Sequence, residues 1–456
     1  MKEPSRPEPQ ERTYVDTSVE PTSVEPTSVE PTVALHVLDD LEERGLLAHS
    51  TDRVALSAEL SAGPVTFYVG FDPTAPSLHF GNLVQLLTAR RLQLAGHRPL
   101  ILVGGATGLI GDPKDTGERT LNSKEVVAGW VQRIRSQVER FVTFEGPNAA
   151  RVVNNLDWTA SLSTLDFLRD IGKHFPVNRM LGRDVVRTRL EAGISYTEFS
   201  YVLLQSMDYL ELFRRHGCRL QTGGSDQWGN ITAGVELVRR VEGQQVHALA
   251  TPLVTKADGT KYGKTESGTV WLDPSMTSPY AFHQFWLQAE DAKVGEYLRI
   301  FTFRSLPEIE QLEADQRARP ASRVAQRALA ADITDLVHRP QQRRAAEAAA
   351  AALFGRGDLA AIDADVLTAS LREAPHADAP PGSKLPSLVE ALVLTGLVES
   401  RGAARRTVSE GGAYVNNARV EDGDVPLPAS AVLVGGWVVL RRGKRAVAGL
   451  RVDTRR

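Results

Sequence analysis

Two apolar strand patterns with one helical pattern between them constrain the fold of this chain more than any other feature of its sequence. Residues 65–70 are rich in β-branched and aromatic side chains, and residues 99–103 are apolar throughout; both runs end at glycine. Between them, residues 83–94 carry apolar side chains at helical spacing. Strands without polar alternation are typical of parallel sheets covered by helices. We predict an α/β fold with a Rossmann-like parallel sheet, whose ligands bind where the strands end.

Composition excludes several classes of protein. The length of 456 residues suggests about three folded units, and 42% hydrophobic with 24% charged residues is ordinary for a globular protein. A net charge of −3 excludes a basic coat that binds nucleic acid over the whole surface. The single cysteine, Cys218, excludes a disulfide framework and multi-cysteine zinc sites. Because no long apolar stretch or signal-peptide pattern occurs, we predict a cytoplasmic protein without a membrane segment.

Changes in pattern along the chain predict five segments. Residues 1–32 include three successive copies of Thr-Ser-Val-Glu-Pro, and we expect a disordered tail because proline every fifth residue prevents a helix. The α/β pattern occupies 33–270, and a helical region rich in alanine and arginine occupies 271–372. Prolines predict a linker at 373–385, followed by a small domain at 386–456. From Leu385 onward the net charge is +4, so this last domain is basic within an acidic chain.

Three motifs occur in predicted loops. Residues 68–82 begin in the first strand and continue beyond it, and their His-Phe-Gly-Asn end leads into a helix whose N-terminal amides can hold phosphate. Residues 104–113 follow the second strand with four glycines and an aspartate, which suits a small ligand that carries an amine. Residues 261–265, Lys-Tyr-Gly-Lys-Thr, place two lysines where they can neutralise a polyphosphate. The first and third motifs alone are weak, because such features are more often a helix cap or a solvated loop. For residues 104–113 the alternative is a flexible connector, which the four glycines and the aspartate at a strand end disfavour.

One helical pattern, residues 199–213, carries three polar side chains at matching spacing. Tyr201, Gln205 and Asp208 lie at i, i+4 and i+7, so one helix face presents all three. Leucines lie beside them, which favours a pocket over the alternative of a solvent-facing polar stripe.

Together these motifs resemble those of the class I aminoacyl-tRNA synthetases, with residues 79–82 standing for the HIGH motif and 261–265 for KMSKS. Within that class, the chain from about Val33 to the C-terminus resembles the bacterial-type tyrosyl-tRNA synthetases. The most specific strings are residues 68–74, 104–113, 197–201 and 223–230. The resemblance implies a tyrosine–tRNA ligase that activates L-tyrosine with ATP, releases pyrophosphate, and transfers tyrosine from the tyrosyl-adenylate to the 3′ end of tRNA(Tyr). It also implies a homodimer, ATP that arrives with Mg²⁺, no bound organic cofactor and no dedicated metal site.

The resemblance implies roles for residues at matching positions. Tyr68 and Asp208 would hold the phenolic hydroxyl of tyrosine. The amine would be held by Asp112, Tyr201 and Gln205, with Gln227 near the carboxylate end. The implied catalytic residues are Thr74, His79, Asn82, Lys261, Lys264 and Thr265, and the implied ATP-binding residues are Gly70, Asp72, Gly81, Gly224, Asp226 and Lys264.

Two departures from the family pattern concern these roles. Asn82 replaces the second histidine of the HIGH motif, but its amide can still donate a hydrogen bond to a ribose oxygen. Residues 114–119 are one residue shorter than the family's loop and have the lysine displaced, so we extend the family's role to Arg119 and not to Lys114.

The C-terminal part resembles an S4-type RNA-binding domain through residues 400–406 and 411–419. Arg401 and Arg405 would share a helix face, with Arg406 at its edge. Four basic residues at 441, 442, 444 and 445 would add phosphate contacts from a hairpin. A solvated basic face is the alternative.

Two other functions stay open at this point. One is a synthetase for a different aromatic amino acid, which the pairing of Tyr68 with Asp208 disfavours. The other is an RNA-binding or splicing factor that has lost the activation step. The retention of His79, Asp226 and Lys264 disfavours it, since RNA binding requires none of them.

Overall fold

The computed structural model describes residues 36–113, 122–189, 193–265, 268–381 and 384–453. In them the strands are β1 His49–Ser50, β2 Thr66–Phe71, β3 Arg98–Val103, β4 Arg151–Asn154, β5 Leu220–Gly224, β6 His247–Thr251, β7 Lys264–Thr265, β8 Gly268–Thr269, β9 His376–Asp378, β10 Ala413–Val415, β11 Ala418–Arg419, β12 Trp437–Arg442 and β13 Ala446–Arg451. The predicted tail at 1–32 and the loop at 114–119 lie outside the described residues.

Helices make up most of the remaining regular structure. The α-helices are α1 Val37–Glu43, α2 Arg53–Ala62, α3 Phe80–Leu94, α4 Thr107–Ile110, α5 Lys124–Val138, α6 Leu156–Thr159, α7 Thr164–Asp166, α8 Val177–Leu181, α9 Asp184–Arg189, α10 Tyr196–His216, α11 Trp228–Glu242, α12 Pro279–Leu287, α13 Val294–Phe301, α14 Leu306–Ala318, α15 Val324–Leu353, α16 Ala364–Arg372, α17 Leu388–Leu394 and α18 Arg401–Ser409. A π-helical turn at Phe167–Ile171 and a 3-10 turn at Gly172–His174 continue the chain after α7. None of the described helices is both long and apolar enough to span a membrane.

The first sheet is the parallel sheet that the sequence predicts. Its strand order is β1-β6-β5-β2-β3-β4, and only the edge pair β1–β6 is antiparallel. Strand β2 pairs with β3 on one side and β5 on the other, so Tyr68 lies opposite both Leu100 and Gln221. The carboxyl ends of the parallel strands therefore meet at one edge of the sheet.

Side chains along β2 alternate between the two faces of this sheet. Phe67 and Val69 belong to the hydrophobic cluster that includes α3 and α5, whereas Tyr68 belongs to the cluster that includes α10 and α11. The alternation follows from the two-residue period of a strand. It directs Tyr68 to the face covered by α10, the helix that carries Asp208.

The helical region contains a break that the alanine-rich pattern did not predict. Helix α15 continues from Val324 to Leu353, but Arg339 has φ 75° and ψ 154°, outside the helical region. Pro340 explains the break, because proline disfavours a helical residue before it and cannot donate a backbone hydrogen bond. Two helical pieces therefore meet at Arg339.

A second sheet, of order β11-β10-β12-β13-β9, forms the C-terminal part of the described chain. Val438 and Leu440 on β12 pack in one cluster with α17 and α18, while Trp437 and Val439 pack in another with α15 and α16. Strand β9 pairs in parallel with β13. The predicted linker at 373–385 therefore contains an edge strand.

The architecture confirms the predicted fold class, a mixed α/β protein with a parallel sheet, many helices and a second small sheet. Residues from Val37 onward form one compact unit. The domain boundaries derived from the sequence stay predictions.

Candidate active site

The loops that follow β2, β3 and β4 are joined by hydrogen bonds at the carboxyl edge of the sheet. Asp72 directly follows β2, and its Oδ1 accepts a hydrogen bond from the Thr107 hydroxyl at 2.6 Å. Asn155, which follows β4, donates Nδ2 to the same hydroxyl at 2.9 Å. A Cβ at Gly104 would overlap both Asp72 and Thr107, so this close approach requires glycine.

The buried Asp208 carboxylate is held by protein donors on both oxygens. Asn155 Nδ2 donates to Oδ2 at 3.0 Å, and Trp158 Nε1 donates to Oδ1 at 2.9 Å. The Tyr68 hydroxyl is also buried, and it has no hydrogen-bond partner among the described residues. A buried polar group without a protein partner is costly unless a water or a ligand group supplies one. A hydroxyl and a carboxylate at one site suit a ligand that carries a hydroxyl of its own.

Burial changes the proton affinities of these groups. It raises the pKa of Asp208 to about 7, although the hydrogen bonds from Asn155 and Trp158 oppose the increase. Burial also raises the pKa of Tyr68 well above its usual value, and the Asp208 carboxylate adds to the increase. The joint role of Tyr68 and Asp208 that the sequence resemblance implies stays a prediction.

Asp112 lies in a second polar network. Its Oδ2 accepts a hydrogen bond from Gln227 Nε2 at 2.7 Å, and its Oδ1 accepts one from Asn230 Nδ2 at 3.1 Å. Gln227 precedes α11, whereas Asp112 follows α4, so the sheet edge brings them together. The carboxylate suits an ammonium group.

Tyr201 and Gln205 lie on α10, the helix that also carries Asp208. The Tyr201 hydroxyl donates to Asp72 Oδ2 at 2.6 Å. Burial, followed by the Asp72 carboxylate, raises the pKa of Tyr201 well above its usual value. Gln205 Oε1 is buried and has no hydrogen-bond partner among the described residues. The structure therefore brings Asp72, which the resemblance assigns to ATP, into contact with a residue that it assigns to the amine.

His79 caps the helix α3. Its Nδ1 accepts a hydrogen bond from the Gly81 amide at 3.0 Å, and its own amide donates to Asn82 Oδ1 at 3.0 Å. Both the cap and the phosphate site proposed from the sequence use the N-terminus of this helix, where the amide dipoles favour an anion.

The loop that contains the basic motif at residues 261–265, here called the basic loop, packs against the start of α3. The Tyr262 and Phe80 rings lie 5.1 Å apart, and the Phe80 amide donates to the Val270 carbonyl at 2.9 Å. Gly263 has φ 90°, and a Cβ there would overlap the Phe80 ring. The structure thus brings residues 79–82 and 261–263 together, although they are far apart in sequence. Lys261 is exposed, and the side chains of Lys264 and Thr265 lie outside the described part of the structure.

Four further predicted residues lie at the ends of strands or on the loops that follow them. Gly70 is the penultimate residue of β2, and Thr74 is exposed two residues after Asp72. Gly224 ends β5, and the exposed Asp226 lies in the turn that follows it. Among the described residues, no group of three or more His, Cys, Asp or Glu side chains is placed to bind a metal ion.

Several residues of these networks had no role in the sequence analysis. They are Thr107, Asn155, Trp158 and Asn230, together with Arg183, whose Nη2 donates to Asn230 Oδ1. Asn230 ends the specific string 223–230, but its spacing gave no partner. Asn155 and Trp158 follow a strand of four residues whose sequence does not indicate the distant Asp208.

The basic helix α18 carries the predicted RNA contacts. Arg401, Arg405 and Arg406 are all exposed. Arg401 pairs with Glu390 at 3.0 Å, and Arg405 pairs with Asp424 at 3.0 Å. An RNA phosphate would have to replace these carboxylates.

One predicted phosphate contact is wrong. The hairpin β12–β13 forms as expected, but Arg441 is buried rather than presented to solvent. Its guanidinium lies 4.3 Å from the centre of the Tyr414 ring, and its Nη1 donates to the Phe354 carbonyl at 3.4 Å. Strand alternation places it on the face of Trp437 and Val439, which packs against the helices.

Comparison with known proteins identifies the family to which the chain belongs. The sequence model of the class I tRNA synthetases for tryptophan and tyrosine matches residues 60–355, and that of a tyrosine–tRNA ligase C-terminal domain matches 367–448. The tyrosine–tRNA ligase of Streptomyces griseus is 62% identical over 91% of this chain and 98% of that protein. That of Kineococcus radiotolerans is 61% identical over the same shares. The chain belongs to the tyrosine–tRNA ligase family.

Solved structures agree with this membership. A C-terminally truncated mitochondrial tyrosyl-tRNA synthetase from Aspergillus nidulans has a TM-score of 0.61 and 32% identity, over 68% of this chain and 92% of that one. Its counterpart from Coccidioides posadasii has a TM-score of 0.60 and 31% identity, over 68% and 90%. The family predicted from the motifs is confirmed, and the roles of individual site residues stay predictions.

Proposed function

We propose that this tyrosine–tRNA ligase family member activates L-tyrosine with ATP and then transfers it to the 3′ end of tRNA(Tyr). One observation carries the choice of amino acid: the Tyr68 hydroxyl is buried and has no hydrogen-bond partner among the described residues, and the buried Asp208 carboxylate helps to raise its pKa. The phenolic hydroxyl of the substrate donates to the Asp208 carboxylate and accepts from the Tyr68 hydroxyl. A phenylalanine ring would leave the buried Tyr68 hydroxyl without a partner and give the Asp208 carboxylate no donor from the substrate, which penalises its binding.

The amine end fixes the orientation of the substrate. Asp112, Tyr201 and Gln205 supply acceptors for the ammonium group, and Gln227 lies against Asp112. Held at both ends, the tyrosine presents its carboxylate to the nucleotide. Such positioning lowers the barrier because it is completed before the reaction begins.

The first step forms the tyrosyl-adenylate. A carboxylate oxygen of tyrosine attacks the α-phosphorus of ATP, and the bond from that phosphorus to the bridging oxygen of pyrophosphate breaks. The carboxylate is already ionised, so the step needs no general base. Catalysis is charge stabilisation by groups near the triphosphate, with ATP carrying Mg²⁺ as part of the substrate.

We assign the nucleotide site to the start of α3 and the neighbouring loops. We assign the triphosphate to Thr74, His79, Lys261, Lys264 and Thr265, and the ribose to Asn82, Gly224 and Asp226. Gly70, Asp72 and Gly81 complete the nucleotide site. The packing of Tyr262 on Phe80 supports this grouping, because it holds the basic loop beside the helix terminus.

The second step transfers the tyrosyl group. A terminal ribose hydroxyl of tRNA attacks the adenylate carbonyl, and AMP leaves with the electron pair of the broken bond. We assign the anticodon side of the tRNA to the helical segment 271–372 and the S4-like segment 386–456. Arg401, Arg405 and Arg406 would supply phosphate contacts there, and we expect the reaction in the cytoplasm, where tRNA charging feeds translation.

We also propose a homodimer. Five large apolar side chains between residues 165 and 196 are exposed, namely Leu165, Leu168, Val177, Leu181 and Tyr196. Such a concentration is unusual on a monomer surface and marks an interface. Light scattering of the full chain tests this: the wild type is expected at twice the chain mass, and Val177→Glu is expected to lower it. A wild type at one chain mass would contradict the dimer.

The exchange of pyrophosphate into ATP without tRNA tests the activation step. We expect exchange with tyrosine and none above background with phenylalanine or tryptophan. Exchange with tryptophan alone would favour a different synthetase. Absence of exchange from folded protein that binds tRNA would favour an RNA-binding function.

A further inference from the structure

The Asn230 carboxamide joins Asp112, which follows α4, to Gln227, the residue that precedes its own helix α11. Its Nδ2 donates to Asp112 Oδ1 at 3.1 Å and to Gln227 Oε1 at 2.8 Å. Gln227 Nε2 closes the ring by donating to Asp112 Oδ2 at 2.7 Å. Each carboxylate oxygen of Asp112 therefore has an amide donor from a different side chain, which restricts how the carboxylate can rotate.

Arg183 determines which way round the Asn230 amide lies. Its Nη2 donates to Asn230 Oδ1. Because arginine only donates hydrogen bonds, the reverse orientation of Asn230 would place its NH₂ group against the guanidinium. Burial lowers the pKa of the Arg183 guanidinium, and the Asp112 carboxylate opposes part of that decrease. Arg183 therefore keeps the NH₂ group of Asn230 directed at Asp112 and Gln227.

We propose that Asn230, oriented by Arg183, is a positioning residue for the Asp112 carboxylate and through it for the α-amine of tyrosine. The inference rests on the proposed function, in which Asp112 binds that amine. Asn230 is itself buried, with 7% of its surface exposed. Its loss would free Asp112 and Gln227 to turn away from the substrate, and an ordered carboxylate binds an ammonium group more tightly than a mobile one.

The test compares two ligands that differ only in the amine. Binding of tyrosine and of 3-(4-hydroxyphenyl)propionate, which lacks the amine, is measured by calorimetry on the full chain and its variants. For Asn230→Ala and Arg183→Met we expect tyrosine affinity to fall about tenfold, while affinity for the analogue changes less than about twofold. Asn230→Asp keeps the size and an acceptor for Arg183 but places a second carboxylate beside Asp112, so it is expected to disturb the site without loss of volume.

Two variants serve as matched controls. Arg183→Lys retains a cationic donor and is expected to keep most of the tyrosine affinity that Arg183→Met loses. Asn148→Ala removes a carboxamide that bonds to the Gln93 carbonyl outside the site, so it is expected to leave tyrosine binding unchanged.

The outcomes separate the inference from the proposed function. Equal weakening of both ligands in Asn230→Ala and Asn230→Asp would overturn the inference, since a merely structural role affects the whole pocket. Unchanged tyrosine affinity would overturn it as well. A wild type that neither binds tyrosine nor supports tyrosine-dependent exchange would instead overturn the proposed function.

Discussion

The carboxyl edge of the first sheet and the helix α18 treat charged side chains in opposite ways. Asp208 is buried, and its oxygens are held at 3.0 Å and 2.9 Å by Asn155 and Trp158. On α18, Arg401 and Arg405 form single ion pairs while their side chains are 66% and 58% exposed. Buried groups act through the geometry of their partners, whereas exposed pairs are weak, screened by salt and free to exchange a carboxylate for a phosphate.

This difference predicts a division of labour between the two regions. Substitutions at the sheet edge should change which amino acid is activated, and substitutions on α18 should change tRNA affinity. The predictions below test that division.

Loss of the Asp208 carboxylate should have the largest effect. Asp208→Ala removes the carboxylate that accepts a hydrogen bond from the substrate phenol. It also leaves Trp158 Nε1 and one N–H of the Asn155 amide unpaired, so kcat/KM for tyrosine in pyrophosphate exchange should fall about 100-fold or more. Asp39→Ala, which removes an exposed aspartate side chain paired with Arg53, is the control and should leave exchange unchanged. Similar losses in both variants would break the division between buried and exposed charges.

The basic loop should affect the reaction more than binding. Lys264→Ala is expected to lower the rate of adenylate formation about 100-fold, because the lysine stabilises charge that develops on the leaving pyrophosphate. Tyrosine binding, measured by calorimetry, should stay within about twofold of the wild type. Lys256→Ala, which removes a lysine five residues before the basic motif, is the control and should change neither rate nor binding. An equal loss of binding and rate in Lys264→Ala would argue against charge stabilisation by this lysine.

The buried carboxylate should also affect stability through pH. The pKa of Asp208 is about 7 in the folded chain, above its usual value of 3.8, so the folded state retains a proton that the unfolded state releases. Stability should therefore fall with rising pH between about 4 and 7, by up to about 1.4 kcal/mol per pH unit from this group. Urea unfolding of the wild type and Asp208→Asn at pH 5, 6 and 7 measures the difference, which should grow in favour of the variant. A constant difference would contradict the raised pKa.

The arginines of α18 should have the smallest effect on activation and a modest one on tRNA. The double variant Arg401→Ala with Arg405→Ala should raise KM for tRNA several-fold and reduce the slope of log affinity against log salt by about 2. Exchange without tRNA should not change. Arg239→Ala removes an exposed, ion-paired arginine from α11 and should alter neither property. An unaltered salt slope in the double variant would favour a solvated basic face.

The sequence predicted those parts of the fold that depend on local periodicity. Strands β2 and β3 are apolar throughout because both faces of the sheet are covered, and α10 shows its pocket face by the spacing of Tyr201 and Asp208. The edge strand β9 has only three residues with two exposed, so no periodicity indicates it. Arg441 was misassigned because a basic residue in a hairpin suggests a phosphate contact, whereas the alternation of β12 puts it on the buried face with Val439.

The candidate site was predictable only where a residue belongs to a specific motif. Asn155 and Trp158 contact Asp208 across more than 45 residues of sequence, and Arg183 contacts Asn230 across a similar interval. Such partners are fixed by the tertiary arrangement of the strand ends, which spacing within one segment does not encode.

The most direct test of the account is the specificity of exchange for tyrosine over phenylalanine in the wild type and in Tyr68→Phe. The buried Tyr68 hydroxyl has no hydrogen-bond partner in the described part of the chain and is expected to hydrogen-bond the substrate phenol, so the variant should lower the ratio of the two kcat/KM values by about tenfold. The loss should fall on tyrosine, with phenylalanine unchanged or improved. An unchanged ratio in a folded variant would contradict the claim that Tyr68 and Asp208 select the amino acid.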